Sequence, residues 1–194
     1  MLIGKESIFE AYKEGVESLD LSDDDIVIFC HDDIEIIMDP QQFINVLIKA
    51  SRKNKSGFFG PAGTTHLSEN AVWWEHSLWA QQKHRGLVLH GKDIKSAEYT
   101  HYGNPGQVVC LDGLFLAIRG KTLKSINLAK PDYFEGDWDF YDIHYTIQSH
   151  LKGLYNTVEP IFMMHHSKGE LAGRDSWHKN REAFISNTKL PIKV

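Results

Sequence analysis

The sequence predicts an α/β domain, and three of its features favour this class. A helix signature starts at Ser7, an apolar strand follows at residues 26–30, and a second helix signature starts at Asp39. Later in the chain, an amphipathic helix at residues 138–151 precedes another apolar strand at residues 158–164. Helices that alternate with strands are typical of a sheet covered by helices.

Length and composition limit the kind of protein that this chain can be. Its 194 residues are enough for one domain with a full core, and 42% hydrophobic with 24% charged residues is ordinary for a globular protein. We therefore expect a single domain over residues 1–194. No apolar run approaches the ~20 residues that span a bilayer, and the amino terminus lacks a signal-peptide core. These features predict a cytoplasmic protein without a membrane span.

Charge and cysteine content exclude two classes of site. The net charge is −5, and acidic residues alternate with basic ones, so we expect no nucleic acid partner. The two cysteines, Cys30 and Cys110, lie in apolar strand-like segments. This placement predicts reduced, buried thiols, and two cysteines are too few for a cysteine-based zinc cluster.

The first elements have clear start signals. Ser7 and Glu10 have the spacing of a capping box, and apolar residues then recur at helical spacing. Asp39 precedes a proline, a pattern typical of the start of a helix. Residues 57–60 predict a short strand followed by a turn at residues 61–63.

The middle of the chain has strand-like segments. Residues 64–79 are loop-like and rich in Trp and His, and residues 87–95 predict a hairpin. Residues 108–118 predict a long buried strand, interrupted at Asp112-Gly113. We assign the hairpin and this long strand to a small antiparallel insertion.

The last elements are a helix and a strand. Apolar residues at a 3.6-residue period predict a helix over residues 138–151, ending at Gly153. Residues 158–164 predict the last strand, and residues from Ser167 onward predict loop and helix.

Two strand ends carry potential ligands for a cation. The first strand runs into His31, Asp32 and Asp33, and the last runs into His165 and His166. A parallel or mixed sheet can bring such ends to the same edge. Carboxylates suit Mn²⁺ or Mg²⁺, and imidazole favours Mn²⁺. The alternatives are acids that cap local backbone and histidines solvated at a strand edge.

Asp142 and Asp112 are candidates for other roles. Asp142 lies beside the apolar face of a helix, where partial desolvation would raise its proton affinity and suit it to act as a general base. The alternative is an exposed or ion-paired helix acid. Asp112 precedes Gly113 in an apolar strand, and a glycine there allows close approach of a ligand. The alternative is a β-bulge in which Asp112 bonds to local amides.

Tryptophans lie near the predicted site. Trp73, Trp74, Trp79 and Trp138 fall in or near the surrounding loops, where their faces can stack on sugars or fill the core. We include Trp138 among the residues that bind donor or acceptor.

Five segments occur in an order found in one protein family: Ser7–Val16, Ile26–Ile34, Leu111–Arg119, Phe140–Gln148 and Met164–Ser167. On these segments, the chain resembles family 2-like glycosyltransferases of the GT-A fold, particularly the compact prokaryotic and viral branch linked to capsule or surface-glycan synthesis. The resemblance implies a mixed, mainly parallel sheet flanked by helices. It also implies inverting transfer of a sugar from a nucleotide-diphosphate donor to a glycan acceptor, with a divalent cation.

The resemblance also implies roles for residues near the cation. Asp33 stands for the last acid of the Asp-x-Asp signature, His31 takes the place of its first acid, and Asp32 lies between them. His166, or alternatively His165, stands where a late histidine joins the cation.

Other roles follow from the same resemblance. Asp112 and Gly113 stand where the family contacts donor sugar or acceptor, and Asp142 stands at the catalytic base. Three features depart from the family pattern. His31 replaces an acid, Tyr141 stands where an acid usually precedes the base, and the usual first strand, helix and second strand that hold the nucleotide base are missing. We therefore expect an incomplete amino-terminal nucleotide-binding part.

Two other functions stay open at this point. The first is a non-catalytic sugar- or nucleotide-binding module of the same fold. The second is a metal-dependent hydrolase that uses His31, Asp33 and His166.

Overall fold

The computed structural model describes residues 4–167 and 175–194 and confirms a mixed α/β architecture. The expectation of a mainly parallel sheet was wrong, because most strand pairs in the described residues are antiparallel. The helices are α1 (Ile8–Glu17), α2 (Pro40–Ser51), α3 (His76–Ala80), α4 (Gly120–Leu123), α5 (Tyr141–Leu151) and α6 (Asp175–Asn187). The strands are β1 (Ile26–Cys30), β2 (Ile34–Ile36), β3 (Ser56–Gly60), β4 (Ala62–Thr64), β5 (His66–Leu67), β6 (His84–His90), β7 (Glu98–Gly103), β8 (Gly106–Val108), β9 (Cys110–Leu111), β10 (Phe115–Arg119), β11 (Tyr155–Val158), β12 (Met163–His165) and β13 (Ile192–Lys193).

A mixed central sheet has the strand order β1-β10-β3-β11-β8. Strands β1, β3 and β11 run in one direction, and β10 and β8 run in the other. Because β10 is antiparallel to β1, it begins where β1 ends, with Phe115 opposite Cys30. The turn before β10, at Asp112-Gly113, therefore lies beside His31, whose amide donates to the Leu114 carbonyl at 3.1 Å.

A second sheet has the order β2-β12-β6-β4-β9, with β7 paired to β6. The chain passes from β1 in the first sheet to β2 in the second through the turn that carries His31, Asp32 and Asp33. Strand β12 pairs with β2 and β6, which places His165 opposite Ile34 on one side. The two histidine-bearing segments are thereby brought together by adjacent strands.

The assignment of residues 108–118 to one strand in an antiparallel insertion was wrong. These residues form three strands, and β8 and β10 lie in the central sheet while β9 lies in the second sheet. The break at Asp112-Gly113 lets the chain cross from one sheet to the other. Residues 158–164 divide in the same way, into the end of β11 and β12, which lie in different sheets.

Other boundaries differ from those predicted. The turn predicted at residues 61–63 is largely β4, and the predicted hairpin is longer, because β6 and β7 extend over residues 84–103. The late helix begins at Tyr141 rather than at residue 138, since Phe140 has a left-handed φ of 70°. Cys110 is buried as predicted, but Cys30 is exposed.

The predicted starts of α1 and α2 are confirmed, but the predicted capping box of α1 is wrong, because the Ser7 side chain makes no cap hydrogen bond. Helix α1 begins at Ile8, directly after Ser7, and helix α2 begins at Pro40. The Asp39 carboxylate caps α2 by accepting from the Gln42 amide at 3.0 Å.

One buried amide joins the elements behind the site. Asn156 is fully buried in β11, and its Nδ2 donates to the carbonyls of Val109 and Thr146 at 2.9 and 2.7 Å. Its Oδ1 accepts from the Phe58 amide at 3.0 Å. The side chain thus satisfies backbone groups of β3, α5 and the β8–β9 junction at once. None of the helices in the described part of the chain is long and apolar enough to cross a membrane.

Candidate active site

A cavity of about 1310 Å³ opens where the two sheets and α5 meet. Eight of the site residues predicted from sequence line it: His31, Asp32, Asp33, Asp112, Gly113, Trp138, Asp142 and His165. His166 does not line it. Segments far apart in sequence therefore share one opening.

Three potential cation ligands form a compact triangle at one end of the cavity. Asp33 Oδ1 lies 3.2 Å from His165 Nε2 and 3.8 Å from His31 Nδ1. His31 Nδ1 lies 3.5 Å from His165 Nε2. Two ligands bound ~2.1 Å from one ion at angles of ~90–130° are separated by about 3–4 Å. The triangle thus has the size of one coordination sphere.

The protonation of these groups suits ligands. Burial lowers the pKa of His165, so its imidazole is neutral at pH 7 and keeps a lone pair. Burial opposes ionisation of Asp33, but the hydroxyl of Ser167 and the nearby His165 and His31 lower its pKa overall. Asp33 is therefore a carboxylate at neutral pH.

The alternation of side chains along β12 determines which histidine joins the triangle. His165 is buried among the cavity groups, whereas His166 is exposed and its Nε2 lies 3.5 Å from Glu35 Oε2. Successive residues of an extended chain point to opposite faces, so both rings cannot enter the cavity. The hydrolase hypothesis requires the His166 ring beside His31 and Asp33, but that ring is directed to Glu35, although the His166 amide donates to the Asp33 carbonyl at 2.8 Å.

Tyr141 connects the triangle to the turn at Gly113. Its hydroxyl donates to the Gly113 carbonyl at 3.0 Å, and a carbonyl can only accept. The same hydroxyl oxygen lies 3.0 Å from His31 Nε2, so it accepts a hydrogen bond from the N–H group at Nε2. His31 is thereby held as the tautomer whose Nδ1 lone pair points into the triangle.

This tyrosine was not among the predicted site residues. It stands at one of the positions where the sequence departs from the family pattern, and His31 stands at another. In the structure these two side chains contact each other, with His31 Nε2 3.0 Å from the Tyr141 hydroxyl. The departures at both positions were the signal by which a contact could have been suspected. Their separation in the sequence does not reveal that they touch.

Gly113 lies beneath the site rather than projecting into it. A Cβ atom at this position would lie 2.5 Å from Tyr141 Oη and 2.9 Å from Asp142 Cβ. The missing side chain therefore allows the first turn of α5 to pack directly on the β9–β10 turn. In this position the Gly113 amide donates to Asp142 Oδ2 at 3.1 Å.

The two carboxyls beside Gly113 have raised proton affinities. Burial raises the pKa of Asp142 to about 6, although backbone amides of Ile143 and Gly113 oppose the shift. Burial and then the charge of Asp142 raise the pKa of Asp112 to about 7. Asp112 also accepts from the Leu114 amide at 3.2 Å, so it both makes a local turn contact and lines the cavity.

Helix α6 supports the loop before α5, a contribution that sequence reasoning also missed. The fully buried Asn180 accepts from the Gly136 amide at 2.8 Å and donates to the carbonyls of Gly136 and Asp139 at 3.0 Å. Ser176 Oγ donates to Asp139 Oδ2 at 2.6 Å. These bonds hold residues 136–140, and with them the start of α5.

A scan against family models matches a glycosyltransferase-like family over residues 2–187. The chain belongs to this family. Membership supports glycosyltransferase activity, and therefore an enzyme with a nucleotide-sugar donor and a glycan acceptor. A search of curated proteins found no match. The family assignment agrees with the mixed α/β fold and with a cavity that gathers acids and histidines.

The packing at Gly113 yields a first prediction. Gly113→Ala should lower the free energy of unfolding by about 1–3 kcal/mol, because the new methyl group must displace Tyr141 or Asp142. Gly106→Ala is the matched control, since its nearest neighbour would be Arg85 Nε at 3.8 Å. Urea denaturation measures both, and equal stability of the two variants would contradict the proposed close contact.

Proposed function

We propose that this chain is an inverting, cation-dependent glycosyltransferase that transfers a sugar from a nucleoside diphosphate to a hydroxyl group of a glycan. The observation that carries the proposal is the common cavity: the triangle of His31, Asp33 and His165 and the carboxyl of Asp142 open into the same space. Family membership supports the class of reaction.

The ligand set fits a divalent cation. Two imidazole nitrogens and one carboxylate oxygen lie within 4.8 Å of one another. Mg²⁺ prefers oxygen ligands, whereas Mn²⁺ accepts imidazole as well, so we propose Mn²⁺ as the preferred ion. When bound, such an ion offsets the negative charge that develops on the departing diphosphate.

Residues of the chain prepare this end of the cavity. Tyr141 fixes the His31 tautomer, and burial raises the pKa of Tyr141, so its hydroxyl keeps the proton that it donates to Gly113. Ser167 Oγ lies 3.0 Å from His165 Nε2, the nitrogen that would bind the cation, so this contact would be released when a cation takes the lone pair. The Tyr141 contact, which is on the other ring nitrogen, limits rotation of the His31 imidazole.

Asp142 is the proposed general base. It takes the proton of the acceptor hydroxyl while the acceptor oxygen bonds to the anomeric carbon, and the bond from that carbon to the diphosphate oxygen breaks with its electron pair. Attack from the face opposite the leaving group inverts the configuration. The Gly113 amide holds Asp142 Oδ2 and so orients the carboxylate. Asp112 keeps its proton to a higher pH and can donate it to a sugar hydroxyl.

Replacement of the base tests this assignment. Asp142→Asn keeps an acceptor oxygen for the Gly113 amide but cannot take a proton, so kcat/KM should fall about 10²–10⁴-fold. The donor is first chosen as the nucleotide sugar that most raises the melting temperature with MnCl₂. Release of nucleoside diphosphate then measures turnover.

Asp132→Asn is the control, because Asp132 is exposed and outside the cavity. The wild-type rate should fall as pH drops through about 6, since protonation of Asp142 removes the base. Unchanged turnover in Asp142→Asn would reject the assignment. Glycan binding without any donor turnover by the wild type would favour a non-catalytic module.

Two adjacent histidines test the cation triangle. His165→Ala and Asp33→Ala should each weaken Mn²⁺ binding at least about tenfold, because each removes a ligand atom. His166→Ala should bind Mn²⁺ as the wild type does, since His166 contacts Glu35 outside the cavity. Calorimetric titration with MnCl₂ compares them, and a loss confined to His166→Ala would overturn the arrangement.

A further inference from the structure

All five tryptophans of the chain line the same cavity. They come from separate parts of the sequence: Trp73, Trp74, Trp79, Trp138 and Trp177. Core packing explains Trp73 and Trp177, which are 3% and 9% exposed. Trp74 and Trp79 are only partly buried, and Trp138 is half exposed, so their surfaces remain available to a ligand.

Four of these tryptophans and Tyr102 form a continuous series of ring contacts, which we call the aromatic wall. The ring centroid of Tyr102 lies 5.1 Å from Trp79 and 5.5 Å from Trp73. Trp74 then lies 5.7 Å from Trp73 and 5.7 Å from Trp177. Such contacts hold the rings in fixed positions, so little freedom is lost when a ligand stacks on them.

Strand β7 sets the distance between the aromatic wall and the cation triangle. Glu98 pairs with His90, whose ring centroid is 5.7 Å from that of His165. Glu98, Thr100 and Tyr102 alternate along β7 and line the cavity. Four residues of strand span about 13 Å, so the wall begins well beyond the diphosphate end.

The wall lies on the side of the carboxyls. The Asp112 amide donates to the Ala62 carbonyl at 3.0 Å, and Ala62 pairs with Gly86. Gly86 pairs with Gly103, the residue after Tyr102, so Asp112 lies at the same end of the second sheet as the wall. Asp112 in turn lies beside Asp142 on the Gly113 turn. A group that stacks on the wall is therefore next to the base and away from the triangle that would hold the diphosphate.

The charge of the cavity limits what can stack there. None of the described residues that line it is lysine or arginine, whereas Asp112 and Asp142 carry carboxyls beside the wall and Glu98 carries one nearer the triangle. Above about pH 7 both Asp142 and Asp112 are ionised, and ionised carboxylates bind sugar hydroxyls well but repel uronic acids and phosphorylated sugars. Apolar ring faces of neutral sugars suit the flat indoles.

We propose that the aromatic wall is the acceptor subsite and that it binds an uncharged oligosaccharide, stacked on Trp74 and Trp79 with its hydroxyls toward Asp112 and Asp142. Its role as an acceptor site rests on the proposed function. The binding itself does not, because neither donor nor cation takes part in the stacking.

Intrinsic fluorescence offers a direct test, since every tryptophan of the chain reports on this cavity. The full chain is titrated, without donor or cation, with maltotriose, cellotriose, triacetylchitotriose and β-1,4-galactotriose. Trigalacturonate serves as the acidic comparison. At least one uncharged trisaccharide should change the emission saturably, and trigalacturonate should bind at least about tenfold more weakly.

Variants locate the binding. Trp79→Ala should weaken it about tenfold, and Trp79→Phe should retain most of it, because phenylalanine keeps a stacking face. Trp74→Leu supplies a second variant if Trp79→Ala does not fold, and it should also weaken binding, because leucine has no aromatic face. Tyr155→Ala is the control, because this exposed aromatic residue lies outside the cavity.

Four results would overturn the proposal: no response to any uncharged trisaccharide, undiminished binding by Trp79→Ala, equal binding of trigalacturonate, or loss of UDP and GDP binding in Trp79→Ala. The last result would assign the wall to the nucleobase. Donor turnover without trisaccharide binding would remove the acceptor subsite alone. Trisaccharide binding without turnover would remove the proposed activity and leave the wall as a glycan site.

Discussion

Direct packing of Gly113 against the first turn of α5 is the constraint on which the candidate site depends. The Gly113 amide holds Asp142, and its carbonyl holds Tyr141, whose hydroxyl in turn meets His31. Helix α5, the β9–β10 turn and the end of β1 are thus joined by hydrogen bonds, and we call this group the Gly113 unit. Any side chain at residue 113 would separate these parts, because its Cβ would lie 2.5 Å from Tyr141 Oη.

The two sheets supply the rest of the site because the chain crosses between them beside this unit. The β1–β2 crossing carries His31 and Asp33, and β12 brings His165 to the same place from the other end of the chain. Asp112 lies where the chain returns to the central sheet. A buried group of acids is unfavourable on its own, since each carboxylate loses hydration. Raised pKa values of Asp112 and Asp142 express that cost, and a cation near Asp33 would reduce it.

Local signals in the sequence predicted the elements that begin the fold. The cap at Asp39 and the apolar run at residues 26–30 depend on neighbouring residues alone, and both are confirmed. Strand partners depend on distant residues, so the position of β10 between β1 and β3 was not predictable from residues 108–118. The sequence also could not show whether His165 or His166 faces the cavity, because a shift of one residue in the pairing of the strand exchanges the two faces.

The site was predictable as a set of residue types, but its connections were not. Family resemblance brought His31, Asp33, Asp112 and Asp142 to attention, and the structure places all four on one cavity. Tyr141 was noted only as a departure from the family pattern, because nothing in its neighbourhood reveals a contact with His31. Trp177 comes from α6, which packs on the loop before α5 through Asn180. Because this contact joins residues far apart in the sequence, no local pattern predicted it.

Anomalous diffraction from crystals soaked in MnCl₂ tests most directly whether the Gly113 unit holds a cation and a base in one cavity. We expect a single peak among His31 Nδ1, Asp33 Oδ1 and His165 Nε2, with the Asp142 carboxylate still bonded to the Gly113 amide. A peak between His166 and Glu35, or an Asp142 side chain turned out of the cavity, would contradict it.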